Sequence, residues 1–147
     1  MQRRSFIQLI SGAFAFILTT HIRAIAAVWN KPAFATSQLA EAEKSLGINN
    51  KKLSQDVFIL APDKAEDGAI VQIEVVSHIP NTQAVYILVE KNPTPLIAYF
   101  KFNNGAESFV VTRIKMAETS DVHIVVKSDE QYFTNFKNVI VLENGCG

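Results

Sequence analysis

Val71-Gln72-Ile73-Glu74-Val75 alternates between branched apolar and polar side chains, and this period of two constrains the chain more than any other feature it carries. An extended segment points successive side chains to opposite faces, so three here are set to be buried and two to be wetted. Further candidate strands stand at Phe58 to Leu60, Val85 to Val89, Ile97 to Phe102, Ser108 to Met116, Val122 to Val126 and Phe136 to Leu142. Between them lie Pro62-Asp63, Asp67-Gly68, Pro80-Asn81, Asn92-Pro93, Asn103-Asn104-Gly105 and Ser128-Asp129, turn formers at nearly regular intervals. Short strands with no helix between them predict an all-β fold, an immunoglobulin-like antiparallel β-sandwich of about seven strands over residues 56–143. Its core is expected from Phe58, Val71, Ile73, Val75, Ile87, Phe100, Val111, Ile114, Ile124 and Val126. The chain of 147 residues is long enough for one such domain and too short for two. Val85 to Val89 runs without alternation, which predicts that one face of that strand is covered by something other than the second sheet. We therefore expect this region, with Leu96 to Phe102, to lie near a partner protein.

The amino terminus reads as an export signal. Arg3-Arg4 precedes Phe6-Ile7 and an apolar run from Leu9 to Leu18, broken by Ser11 and Gly12 and too short for stable membrane insertion. Small residues at Ala24-Ile25-Ala26 place cleavage after residue 26, with Ala33-Phe34-Ala35 as a second candidate after residue 35. Adjacent arginines suggest the twin-arginine route, which accepts folded cargo; an ordinary secretory signal would also carry a positive end, and either one exports the protein. Removing residues 1–26 takes away Arg3, Arg4 and Arg23 but no acid, so a formally neutral chain becomes one of 11 bases against 14 acids, net −3. Such a surface offers no footprint for nucleic acid. Residues 27–55 are expected to be a linker with one short helix from Ser37 to Leu46, capped by Ser37 and stopped at Gly47, acting as an appendage to the sandwich.

The sandwich itself shows no catalytic signature. His21 falls in the signal, His78 near a strand end and His123 on an outward strand face, none at a recognised metal-ligand spacing, so no metal and no cofactor are expected. Asp63, Glu66 and Asp67 read as a solvated acidic turn, and phosphate loops, nucleophile elbows and zinc signatures are absent.

Chemistry is concentrated instead in residues 144–147, Asn144-Gly145-Cys146-Gly147, expected to form a flexible arm. Cys146 is the one cysteine, set past the last apolar run between glycines. Four extended residues reach roughly 13 to 14 Å, enough to carry a sulfur atom into a cleft of another protein. Two readings remain open from the residues: a tether for a covalently held group, or an exported β-sandwich interaction protein whose lone cysteine forms an intermolecular disulfide.

The ending Asn144-Gly145-Cys146-Gly147 resembles the Gly-Gly-Cys-Gly-Gly arm of the SoxY family, the sulfur-carrier subunits of the periplasmic thiosulfate-oxidising system. Glu90-Lys91-Asn92-Pro93-Thr94-Pro95, Ala98-Tyr99-Phe100-Lys101-Phe102 and Thr112-Arg113-Ile114 resemble that family's strand and loop signatures in the same order. The resemblance implies that Cys146 is a covalent anchor and that the protein is a carrier in the periplasm, not an enzyme. It implies that a haem-containing conjugating enzyme loads thiosulfate onto the anchor and that a hydrolase releases sulfate. It also implies a SoxZ-like companion sandwich without its own signal, exported bound to the carrier. Asn144 stands where the family has glycine, and one further glycine is missing after Gly147. Asn tolerates left-handed backbone, so the first change stiffens the arm modestly. The second brings a terminal carboxylate nearer the sulfur, where negative charge disfavours the thiolate.

Overall fold

The computed structural model describes residues 30–103 and 105–143. Two short helices, α1 (Lys31–Ala35) and α2 (Leu39–Ser45), lead into nine strands: β1 (Lys51–Leu53), β2 (Val57–Leu60), β3 (Lys64–Asp67), β4 (Val71–Ser77), β5 (Thr82–Val89), β6 (Leu96–Lys101), β7 (Phe109–Ile114), β8 (Ser120–Ser128) and β9 (Gln131–Glu143). A large sheet in the order β1-β9-β8-β5-β6, with β3 also on β9, faces a small sheet in the order β2-β4-β7. The fold is the expected β-sandwich, with two strands more than the alternation revealed.

Both additional strands pair in parallel with β9. Lys51 to Leu53 lie beside Tyr132 to Thr134, and Lys64 and Ala65 beside Ile140 and Val141. The polar stretch expected to be a linker thus contributes a strand, and the acidic turn around Glu66 and Asp67 is β3, of which only Ala65 is buried. The remaining pairs described are antiparallel.

The main core fills the space between the sheets. Val85, Ile87 and Val89 of β5 and Val122, Ile124 and Val126 of β8 meet Val71, Ile73 and Val75 of β4, with Met116 and Val139 closing it. Eight of the ten expected core residues pack here, Phe100 being partly buried. Phe58 and Val111 do not: they are 49% and 51% exposed. Register explains both. Val57 and Ile59 stand opposite Ser77 and Val75 and face inward, which turns Phe58 out beside Val76. Val110 stands opposite inward-facing Val75, so Val111 must share the outer face with Glu74. Residues three apart on one strand point to opposite faces, and burial of Ile114 excludes burial of Val111.

A second core explains the unbroken apolar run of β5. Ala84, Tyr86 and Leu88 face away from the small sheet and are buried with Leu96 and Val125 under Ala33 of α1, Ala42 of α2 and Ile48. The face expected to be left for a partner is covered by the chain's own helices. Tyr86 and Tyr99 stack here at 4.9 Å with planes 2° apart, and burial, reinforced by Tyr99 and Tyr132, pushes the Tyr86 hydroxyl far above its ordinary pKa. The helix start also differs from expectation. Ser37 is not the cap; Gln38 occupies that position without a side-chain hydrogen bond, while Asn30 caps α1 by accepting from the Ala33 amide at 3.3 Å. Gly47 ends α2 as expected, with φ at +75°. No helix among the described residues is long and apolar enough to cross a membrane.

Candidate functional site

Cys146 and its neighbours Asn144, Gly145 and Gly147 lie outside the described residues, as do Arg3, Arg4 and His21. What the structure describes is the root from which residues 144–147 depart. β9 leads to them, and each turn of its course from Asn135 onward is tied to another element.

Asn135 Nδ2 donates to the Val57 carbonyl at 2.8 Å, joining β9 to the small sheet. Lys137 Nζ donates to the Ala61 carbonyl at 2.7 Å and pairs with Asp63 at 3.0 Å. The Ile140 amide donates to the Asp63 carbonyl at 3.0 Å, and the Val141 amide to Thr119 Oγ1 at 2.9 Å. Asp67 stands opposite Glu143, so the ladder with β3 continues to the last described residue. Val139 and Val141 point into the core, while Ile140 and Leu142 are exposed. Backbone pairing with β8 up to Val139, then with β3 from Ile140 to Glu143, together with the tie from Val141 to Thr119, sets the direction of the strand toward Glu143.

The segments that carried the family resemblance have structural roles. Asn92, nearly buried, donates through Nδ2 to the Lys115 carbonyl at 2.7 Å and accepts from the Ala117 amide at 2.8 Å, which fixes the β5–β6 loop to the chain beyond β7. Buried Ser120 accepts from the Lys91 amide at 3.1 Å on the same loop. Tyr99 lies in the second core, with the Lys101 ammonium 5.5 Å from its ring centre.

The two described histidines differ. His78 is exposed, its ring 4.7 Å from that of Phe58. His123 is on the outer face of the large sheet, as expected, but its side chain is only 18% exposed and lies against Phe136 with ring centres 5.6 Å apart. Its Nε2 is buried without a hydrogen-bond partner, 3.7 Å from Glu90 Oε2. Asp121, two residues earlier on the same face of β8, completes a group that sequence spacing did not reveal. Asp121 and His123 at i and i+2 were visible on one strand face; Glu90, from the end of β5, comes to them only through the β5–β8 pairing.

Comparison with known proteins yields a consistent relation. The sequence profile of the family described as sulfur oxidation protein SoxY matches residues 42–146. Among solved structures, the sulfur carrier protein SoxY from Chlorobium limicola f thiosulfatophilum is similar at a TM-score of 0.66 and 29% sequence identity, covering 74% of this chain and 96% of that one. A lytic polysaccharide monooxygenase from Jonesia denitrificans aligns over 53% of this chain and 56% of that one, at 14% identity and a TM-score of 0.39, too low to carry an argument. No curated protein sequence matches the chain.

Proposed function

The chain belongs to the SoxY family, and on that premise we propose that it is a periplasmic carrier of sulfur compounds whose covalent anchor is Cys146, borne on an arm of Asn144, Gly145 and Gly147. The observation that carries this reading is the extent of the family match, which runs through the sandwich and β9 and includes Cys146.

The chemistry follows from a thiolate at the end of a slender arm. A thiolate and thiosulfate joined by a sulfur–sulfur bond lose two electrons, which a haem-containing partner accepts. Water then cleaves the bond between sulfane sulfur and the sulfonate group, releasing sulfate and leaving a persulfide on Cys146. Each step needs a different enzyme cleft, and the carrier's part is to be narrow and reactive. A fixed β9 supports this by giving each partner the same starting point for the arm. Export through Arg3-Arg4 by the twin-arginine route, in a complex with a SoxZ-like companion, completes the proposal. Because the chain's own helices cover β5, the free edge of β6, with partly buried Ile97, Ala98, Tyr99 and Phe100, is the part of the expected contact region left for that companion.

The test is Cys146→Ser. A hydroxyl is far less nucleophilic and holds no persulfide, so intact-mass spectrometry after loading with thiosulfate should find adducts on the natural chain and none on the variant. Thiosulfate-dependent electron transfer in a reconstituted system should vanish with it, while unfolding stability stays within about 0.5 kcal/mol. Retained turnover in the variant would eliminate the carrier reading. A reductant-sensitive dimer with no sulfur adduct would favour the disulfide instead.

A further inference from the structure

We propose that Glu90, Asp121 and His123 form a binding site for a divalent first-row transition metal ion, with Zn²⁺ as its probe. The three side chains offer one ligand atom each, all within 4.8 Å of one another, on the outer face of the large sheet where the end of β5 meets β8. Their donor set is one imidazole nitrogen and two carboxylates, which suits zinc, cobalt or nickel better than thiolate-seeking cuprous ion.

Three observations point to a cation here. His123 Nε2 is sealed from water yet has no hydrogen-bond partner, a condition that buried polar atoms avoid. Its nearest charged neighbour, Glu90 Oε2, is 3.7 Å away, too far for a hydrogen bond. Two donors bound tetrahedrally to one zinc ion stand roughly 3.4 Å apart, given bonds of about 2.0 to 2.2 Å, so Glu90 needs only a small inward movement to share one ion with His123. Next, no lysine or arginine among the described residues pairs with Glu90 or Asp121, so the site carries negative charge that a dication would neutralise. Finally, Asn138, opposite Asp121 on β9, donates its Nδ2 to Asp121 Oδ1 at 2.7 Å. That bond restrains the carboxylate, as outer groups orient metal ligands. Glu90 is half exposed, so remaining coordination positions open to water.

The experiment is equilibrium dialysis of the exported chain against zinc sulfate. The chain carries Cys146→Ser so that its thiol does not compete, and Co²⁺ serves as a spectroscopic second probe. We expect one equivalent of zinc per chain and visible cobalt absorption displaced by zinc. His123→Ala should weaken zinc binding at least about 100-fold, and Glu90→Gln and Asn138→Ala each about tenfold, Asn138 acting only by positioning Asp121. Circular dichroism of the metal-free variants checks folding, and half-exposed Glu90 provides a substitution that leaves packing alone. Stoichiometry below one at saturating zinc, or equal affinity in the His123→Ala and Glu90→Gln variants, would overturn the proposal.

Discussion

Asn92 uses both ends of its amide on backbone that has no strand partner, and this makes it the most consequential single side chain in the loop between β5 and β6. Asn92→Ala strands a carbonyl and an amide in a partly buried position, each costing about 1 to 3 kcal/mol when left unpaired. We predict a loss of about 2 to 4 kcal/mol in urea unfolding, with the m-value unchanged. A loss under about 0.5 kcal/mol would mean that water replaces the amide at both atoms. The residue scale is also where the sequence misleads. Phe58 and Val111 are as hydrophobic as their inward neighbours Val57 and Val110, and only pairing with β4 decides which of each couple is buried. Composition has no access to that parity, whereas a single strand with polar residues between, such as β4, declares it outright.

Helices α1 and α2 are short and would not persist alone, yet they seal Tyr86, Leu88 and Val125 against water. Ala33 and Ala42 are fully buried and pack into the second core with the outer face of β5. Cleavage after residue 35 would remove Ala33 and Phe34 from this contact. We therefore propose cleavage after residue 26, and predict that a chain beginning at residue 36 is less stable by about 2 kcal/mol than one beginning at residue 27, roughly the value of burying one large apolar side chain. Equal melting temperatures would show that α1 contributes nothing. Elements were legible in the sequence in proportion to their own burial. β4, β5 and β8 carry enough inward residues to announce themselves, whereas β3 buries one alanine and β1 none, and both exist because β9 offers them backbone. Such distant parallel pairing leaves no local period to read. The metal group was hidden for the same reason, since Glu90 joins Asp121 and His123 only across strands.

At the scale of the molecule, the sandwich leaves apolar surface unpartnered. Phe58, Leu60, Phe109 and Val111 share the outer face of the small sheet with Val76, and Phe136, Ile140 and Leu142 line the outer face of β9. Exposed apolar groups at this density favour association. We predict that the chain purified alone self-associates, and that Phe58→Ser with Phe109→Ser reduces this in sedimentation velocity while changing stability by no more than about 0.5 kcal/mol for each substitution. A concentration-independent monomer before any substitution would sink the idea. β9 has a further consequence, which concerns time. It is the common partner of β1, β3 and β8, and its rungs with β1 and β3 join residues about 80 positions apart in the chain. During synthesis the β5–β6 hairpin can form early and β4–β7 once residues 109–114 have emerged, but the large sheet cannot close until residues 131–143 have left the ribosome. The segment that holds Cys146 thus follows directly on the one that completes the fold, and a chain that stalls before β9 has neither a finished sandwich nor a thiol to misuse.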